Sequence, residues 1–227
     1  MSQLKRRVLL KFAAAGAASA LPYARASAAS KDPLPRTRDY IVALVRSNRT
    51  DPKLRPVQRI EPVALKLDPN SSPDNEVVTD HFVGDLVLHY VFEDPQFMLA
   101  VRGRDLKRLG ISRESLPVLV AENYRRLYPG LVVAQPEPGL AVVAKGGNLE
   151  PCVLLDGAFW QGQEKRAGKP LIAVVPSTDE VLFTSAEPRQ NIELLKHLAV
   201  RRYEAAGKRA VSHTVLAWRN FRWQVVG

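Results

Sequence analysis

The chain has 227 residues, 46% of them hydrophobic and 25% charged, with a formal net charge of +10. That length holds one large domain or two small ones, and the apolar content excludes a chain too polar to build a core. A single cysteine, Cys152, excludes an intramolecular disulfide, and no apolar run after residue 28 reaches the ~18 residues a membrane helix needs.

The position of the charge matters more than its sum. Residues 1–28 hold Lys5, Arg6, Arg7, Lys11 and Arg25 and no acid. Arg36 to Arg59 holds seven basic residues and two acids, so what remains is close to neutral. The basic character belongs to a leader and one short stretch, and aromatics do not interleave that stretch as nucleic-acid binding would require. Nucleic acid is therefore not an expected partner.

The leader begins Lys5-Arg6-Arg7-Val8-Leu9-Leu10-Lys11. Two arginines, a variable residue, two apolar residues and a lysine resemble the twin-arginine export consensus. An Ala-rich stretch from Phe12 to Leu21 follows, too short and too mildly apolar for a spanning helix, and Pro22 ends it. Ala24-Arg25-Ala26 and Ala26-Ser27-Ala28 both offer small-x-small cleavage sites, and the expected cut follows Ala28. The expected partners are the twin-arginine export machinery and signal peptidase, and the expected destination is the periplasm. Such cargo often carries a cofactor. None is expected here: there is no CxxC, no HExxH and no Gly-rich dinucleotide loop, and His81, His89, His197 and His213 lack metal-ligand spacing.

After a linker with Pro33 and Pro35, Ile41, Leu44 and Val45 recur at i, i+3, i+4, which predicts a basic helix over Arg38–Arg49. Asp68 to Asn75 is a cluster of turn formers and reads as a loop. Val83 to Phe92 and Phe97 to Val101 read as a β-hairpin around Glu93–Gln96. Arg104–Leu109 reads as a short helix closed by Gly110, and Ser115 caps a second that runs to about Tyr128, with Pro117 in its first turn. Leu116, Leu119, Val120, Asn123 and Leu127 share a face of that helix, so the Asn123 amide must find buried partners; the Pro176–Asp179 turn is the expected one.

Leu131–Ala134 and Leu140–Ala144 read as short strands, with Gly146-Gly147 closing the second, and Val153 to about Lys165 as a helix. Leu171 to Val175 is continuously apolar, which fits an inner strand, and Glu180–Phe183 returns beside it. Asn191–Ala206 reads as a helix stopped by Gly207, and Val211–Arg219 with Phe221–Val226 as a last hairpin carrying Trp218 and Trp223. Hairpins alternating with helices predict an α+β class: a mostly antiparallel sheet with the helices packed on one face. The expected organisation is a leader over 1–28, a basic helix and polar loop over 29–75, and one domain over 76–227.

Three stretches carry a family resemblance: Val83-Gly84-Asp85-Leu86-Val87-Leu88-His89-Tyr90-Val91; Leu109-Gly110-Ile111-Ser112 followed by Ala121-Glu122-Asn123-Tyr124; and Val174-Val175-Pro176-Ser177-Thr178-Asp179-Glu180-Val181-Leu182. In order and spacing they resemble the uncharacterised bacterial family known as domain of unknown function 1444, over roughly residues 80 to 226. The chain departs from that family in its leader, its basic N-terminal extension and Tyr124, where the family has Leu. The resemblance implies a fold and no activity.

The chemical candidates have bland readings beside them. Asp85 and Asp179 could pair for acid/base or metal work, but Asp179 suits an Asx-type turn and Asp85 a half-exposed strand. No metal site is expected from either. Cys152 could act as a nucleophile, yet Pro151-Cys152-Val153-Leu154-Leu155 is an apolar setting that raises a thiol's pKa. Without a catalytic constellation the expectation is an exported binding or interaction module. The alternatives are a cofactor-free hydrolase using Asp85, Asp179 or Cys152, and an envelope protein holding anionic lipid or cell-wall polymer through Arg36–Arg59.

Overall fold

The structure, a computed structural model, describes residues 36–48, 72–94, 98–129, 133–137, 139–144 and 149–226. These lie in one compact unit, Pro33–Gly227. The leader with Arg6, Arg7, Lys11, Ala26 and Ala28, the 29–35 linker, most of the basic stretch beyond Asn48 and the Gly146-Gly147 closure lie outside the described residues.

Among the described residues, ten strands form two antiparallel sheets. In the first, β3 (Leu86–Glu93) is central. One edge of β3 pairs along its length with β1 (Ile41–Ser47), and its other edge is shared by β2 (Thr79–Val83) and β4 (Met98–Ala100). The second sheet has six strands in the order β10-β9-β7-β8-β6-β5. They are β5 (Val133–Glu137), β6 (Leu140–Ala144), β7 (Leu171–Ser177), β8 (Glu180–Ser185), β9 (Leu216–Arg219) and β10 (Arg222–Val225). The described residues also form four α-helices: α1 (Gly103–Leu109), α2 (Leu116–Leu127), α3 (Gly157–Ala167) and α4 (Gln190–Ala206). The α+β class follows.

The helices do not share one face, as the hairpin pattern suggested. Side chains of β7 alternate between two cores, because successive Cβ atoms of a strand point to opposite faces. Leu171, Ala173 and Val175 join Trp160 of α3, Phe183, Trp218, Trp223 and the buried side chains of β1, β2 and β3. Ile172 and Val174 join Leu182, Leu195 and Ala199, so α4 covers the opposite face. Both faces of β7 are buried, which is why its sequence is continuously apolar.

The expected basic helix at Arg38–Arg49 is instead a single 3₁₀ turn, Arg38–Tyr40, followed by β1. The run Ile41-Val42-Ala43-Leu44-Val45 satisfies i, i+3, i+4 only because it is apolar at every position. Ile41, Val42, Ala43 and Val45 are all buried, and seven residues pair with β3. The boundary expected at residue 76 is corrected with it: β1 is an integral strand of the domain.

The helix expected from Val153 is interrupted. Glu150–Leu155 forms a 3₁₀ segment, and Asp156 then caps α3 by accepting from the Phe159 amide at 3.0 Å. The last hairpin is shorter than its apolar pattern. Val211 and Ser212 lie outside any strand and donate their amides to Pro176 O and Val175 O, and β9 begins at Leu216.

Candidate functional site

Asp85 sits in the two-residue turn joining β2 to β3, not on the half-exposed strand expected for it. Gly84 supplies the turn's positive φ of 60°, and a Cβ there would meet Val225 Cγ2 at 2.9 Å. That close approach presses the turn against β10 and leaves Asp85 only 5% exposed. Its carboxylate accepts from Ser47 Oγ and from Ser212 Oγ, both at 2.8 Å. Burial pushes the Asp85 carboxyl up, but hydrogen bonds from the Thr214, Ser47 and Ser212 side chains outweigh it and hold the pKa below the ordinary value. Asp85 thus ties the first sheet to the segment that enters β9 of the second. The chemistry there is structural: a charged acceptor enclosed by neutral donors.

Asn123 is buried on α2, and its partners are not those expected. Nδ2 donates to the carbonyls of Arg38 at 2.7 Å and Ile41 at 2.9 Å, and Oδ1 accepts from Arg126 Nη2 at 3.3 Å. Arg126 also donates to Asp39 O and lies over the Tyr40 ring. The amide does bridge its helix to irregular backbone, but to the turn before β1 instead of the Pro176–Asp179 turn.

Asp179, at the β7–β8 turn, accepts from Ser177 Oγ at 2.6 Å and is ion-paired with Arg209. Beside it, burial raises the Glu180 pKa, Arg202 opposes the rise and Asp179 adds to it. Cys152 lies in the 3₁₀ segment with no exposed surface. Burial pushes its thiol up to about 12, against a backbone hydrogen bond at Ala43 and with Glu93 and Asp156 adding to the rise. Asp85, Asn123, Asp179 and Cys152 therefore occupy four separate settings. The histidines are dispersed as well: His213 packs edge-on to Tyr203, and His89 on β3 has its pKa lowered by burial and by Arg46. No group of three or more His, Cys, Asp or Glu side chains among the described residues could hold a metal ion.

The structure singles out a different place, the β9–β10 tip. Trp218 pairs with Trp223 and Arg219 with Arg222, which leaves Asn220 and Phe221 to make the turn. Both have positive φ, 51° and 60°. Such a turn is dominated by Asn-Gly because a Cβ in the left-handed region costs about 1–2 kcal/mol. Asn220 suits its position; Phe221 does not. Phe221 is 70% exposed, so the conformation is not repaid by burial. Arg219 and Arg222 are exposed and face each other across the hairpin, a like-charge pairing that is itself unfavourable.

Phe221 borders a shallow groove of about 450 Å³ also lined by Lys165 in the last turn of α3 and by Lys169 just beyond its Gly168 cap. Glu164 is the one acid lining it among the described residues. None of the four cations Lys165, Lys169, Arg219 and Arg222 is in an ion pair among the described residues. The tip thus combines a displayed ring with uncompensated positive charge. Sequence reasoning passed over it, although the mirror-like Trp218-Arg219-Asn220-Phe221-Arg222-Trp223 carries the signal. If both indoles face the core, only two residues remain for the turn, and the second is not Gly.

Compared with known proteins, the chain matches no family model, no curated protein and no solved structure. No helix among the described residues is long and apolar enough to cross a membrane.

Proposed function

We propose that this chain is an exported α+β contact module that works by binding, with the β9–β10 tip as its contact surface. Phe221 carries the reading: an exposed ring held in a backbone conformation that Gly would adopt without strain. Local strain of this kind gathers at ligand clamps and binding loops, where the side chain's use outweighs its cost. The candidate residues for chemistry support the same reading, since Asp85, Asn123 and Asp179 are engaged in joining elements and the Cys152 thiol is held protonated.

The test is a photoreactive phenylalanine analogue at position 221, with the same group at the exposed Glu204 of α4 as comparison. Irradiated cells should give a discrete adduct from 221 and none from 204. Equal yields at both positions, or an adduct from 204 alone, would sink the proposal.

Export and membership of the domain of unknown function 1444 family are parts of the same proposal, and both rest on the sequence. Arg6, Arg7 and Lys11 would engage the twin-arginine machinery, and cleavage after Ala28 would release the module into the periplasm. Replacing Arg6 and Arg7 with Lys should leave the precursor in the cytoplasm; normal periplasmic accumulation of that variant refutes the export step.

A further inference from the structure

We infer that the surface met by this tip is an anionic phospholipid bilayer, with Phe221 as the inserted group and Lys165, Lys169, Arg219 and Arg222 as the headgroup contacts. The inference rests on the contact-module reading and names its partner. Three features select a bilayer. Phe221 is the one large aromatic exposed among the described residues. A stacking platform for single-stranded nucleic acid needs several rings along a basic groove, and here there is one. A stable protein partner needs about 800 Å² per side with clustered apolar anchors, and a hairpin tip with a single ring does not supply them.

A lipid interface asks for less. It takes one ring at headgroup depth, with long cationic side chains reaching back to phosphate oxygens. It also resolves the local conflict at the tip. Arg219 and Arg222 repel each other across the hairpin until anions stand between them. Each cation near an anionic surface strengthens binding about fivefold, so the four together with the ring give weak, reversible attachment.

The test is partition of the full-length chain into vesicles of phosphatidylcholine mixed with phosphatidylglycerol, against phosphatidylcholine alone. The leader is common to every variant, so differences report on the tip. Phe221→Ala should weaken binding to the mixed vesicles about tenfold, and the double variant Arg219→Gln/Arg222→Gln about thirtyfold. Added salt should release the wild type. Lys196→Gln/Lys208→Gln removes the same charge from the α4 region and should leave partition within about twofold of wild type. Phe221→Trp supplies a second readout, because the emission of the introduced indole should shift to the blue on mixed vesicles.

Tip variants that melt like wild type and partition like wild type overturn the inference, as does an emission from the Phe221→Trp variant that vesicles leave unshifted. Binding of the wild type to a single-stranded oligonucleotide but not to the vesicles, lost in the same variants, overturns it in favour of a polyanion. If the vesicle test fails while the photoreactive group at 221 still gives its adduct, the lipid assignment falls alone. If both fail, the contact-module reading falls with it.

Discussion

Replacing Asp85 with Ala should destabilise the domain more than the loss of either Asn123 or Cys152. Ser47 and Ser212 each donate to its carboxylate at 2.8 Å, and Ser212 is itself buried and accepts from the Thr214 amide at 3.0 Å. A hydrogen bond to a charged partner contributes about 1.5–3 kcal/mol, and a stranded buried donor costs about 1–3 kcal/mol. Ser47 is half-buried and can turn to water, whereas Ser212 cannot. The carboxylate's own desolvation offsets part of the sum. The net loss for Asp85→Ala is therefore about 3 kcal/mol, and for Asp85→Asn, which keeps shape and one acceptor, about 1–2 kcal/mol. Against a typical total of about 5–15 kcal/mol, the first is a large shift in a urea midpoint at constant slope. The pH dependence has a definite sign. A carboxyl whose folded pKa is depressed adds stability above its unfolded value, about pH 4, and loses it as pH falls through the folded value. The gap between wild type and Asp85→Asn should thus close in acid. An Ala variant within ~0.5 kcal/mol of wild type at neutral pH, on the scale of an ordinary surface change, refutes the reasoning, as does a pH-independent gap.

Two further outcomes follow from the other buried groups. Asn123→Leu strands the carbonyls of Arg38 and Ile41 and should cost about 2 kcal/mol in thermal or urea unfolding, while the adduct from position 221 is unchanged; unaltered stability would remove the bridge argument. Cys152→Ala should cost about 1 kcal/mol for the small void it leaves, and the native thiol, held protonated to about pH 12, should react with a maleimide only as fast as the domain opens. Rapid labelling of the folded protein at neutral pH would contradict that burial.

What was legible in the sequence was local. The β7–β8 hairpin and the Gly110 and Gly207 stops of α1 and α4 are marked by residues within one turn of the feature they set, whereas Ser115 stands before α2 without capping it, its hydroxyl donating to Ser112 O at 2.8 Å. β1 was illegible because its partner β3 lies 39 to 51 residues further along the chain, and five consecutive apolar side chains fit a helical stripe as readily as a strand buried on both faces. The Asn123 case divides at the same line. Its helical face dictates a buried amide with partners, but which carbonyls receive it depends on where the chain from Arg38 to Ile41 passes. The apolar run from Val83 to Phe92 places Asp85 on a half-exposed strand; the pairing of Val83 with Leu86 makes Gly84-Asp85 a turn instead, and the Ser212 hydrogen bond makes Asp85 interior.

The tip shows how a local rule becomes informative once the register is known. Trp218 and Trp223 are buried partners; Trp223 donates its indole N–H to Leu154 O at 3.0 Å and packs edge-on to Trp160. Those contacts fix the register of β9 on β10, because sliding β10 by one residue would turn Trp223 off the core face it shares with Trp218 and Trp160. With the register fixed, the turn can hold only Asn220 and Phe221, and its second place falls in the left-handed region whichever residue occupies it. The core therefore imposes the strain, and the choice of Phe over Gly is separate from the core's demands. A ring that the fold neither buries nor conformationally favours, between two arginines that repel each other, is explained by what the tip touches and not by the stability of the hairpin that carries it.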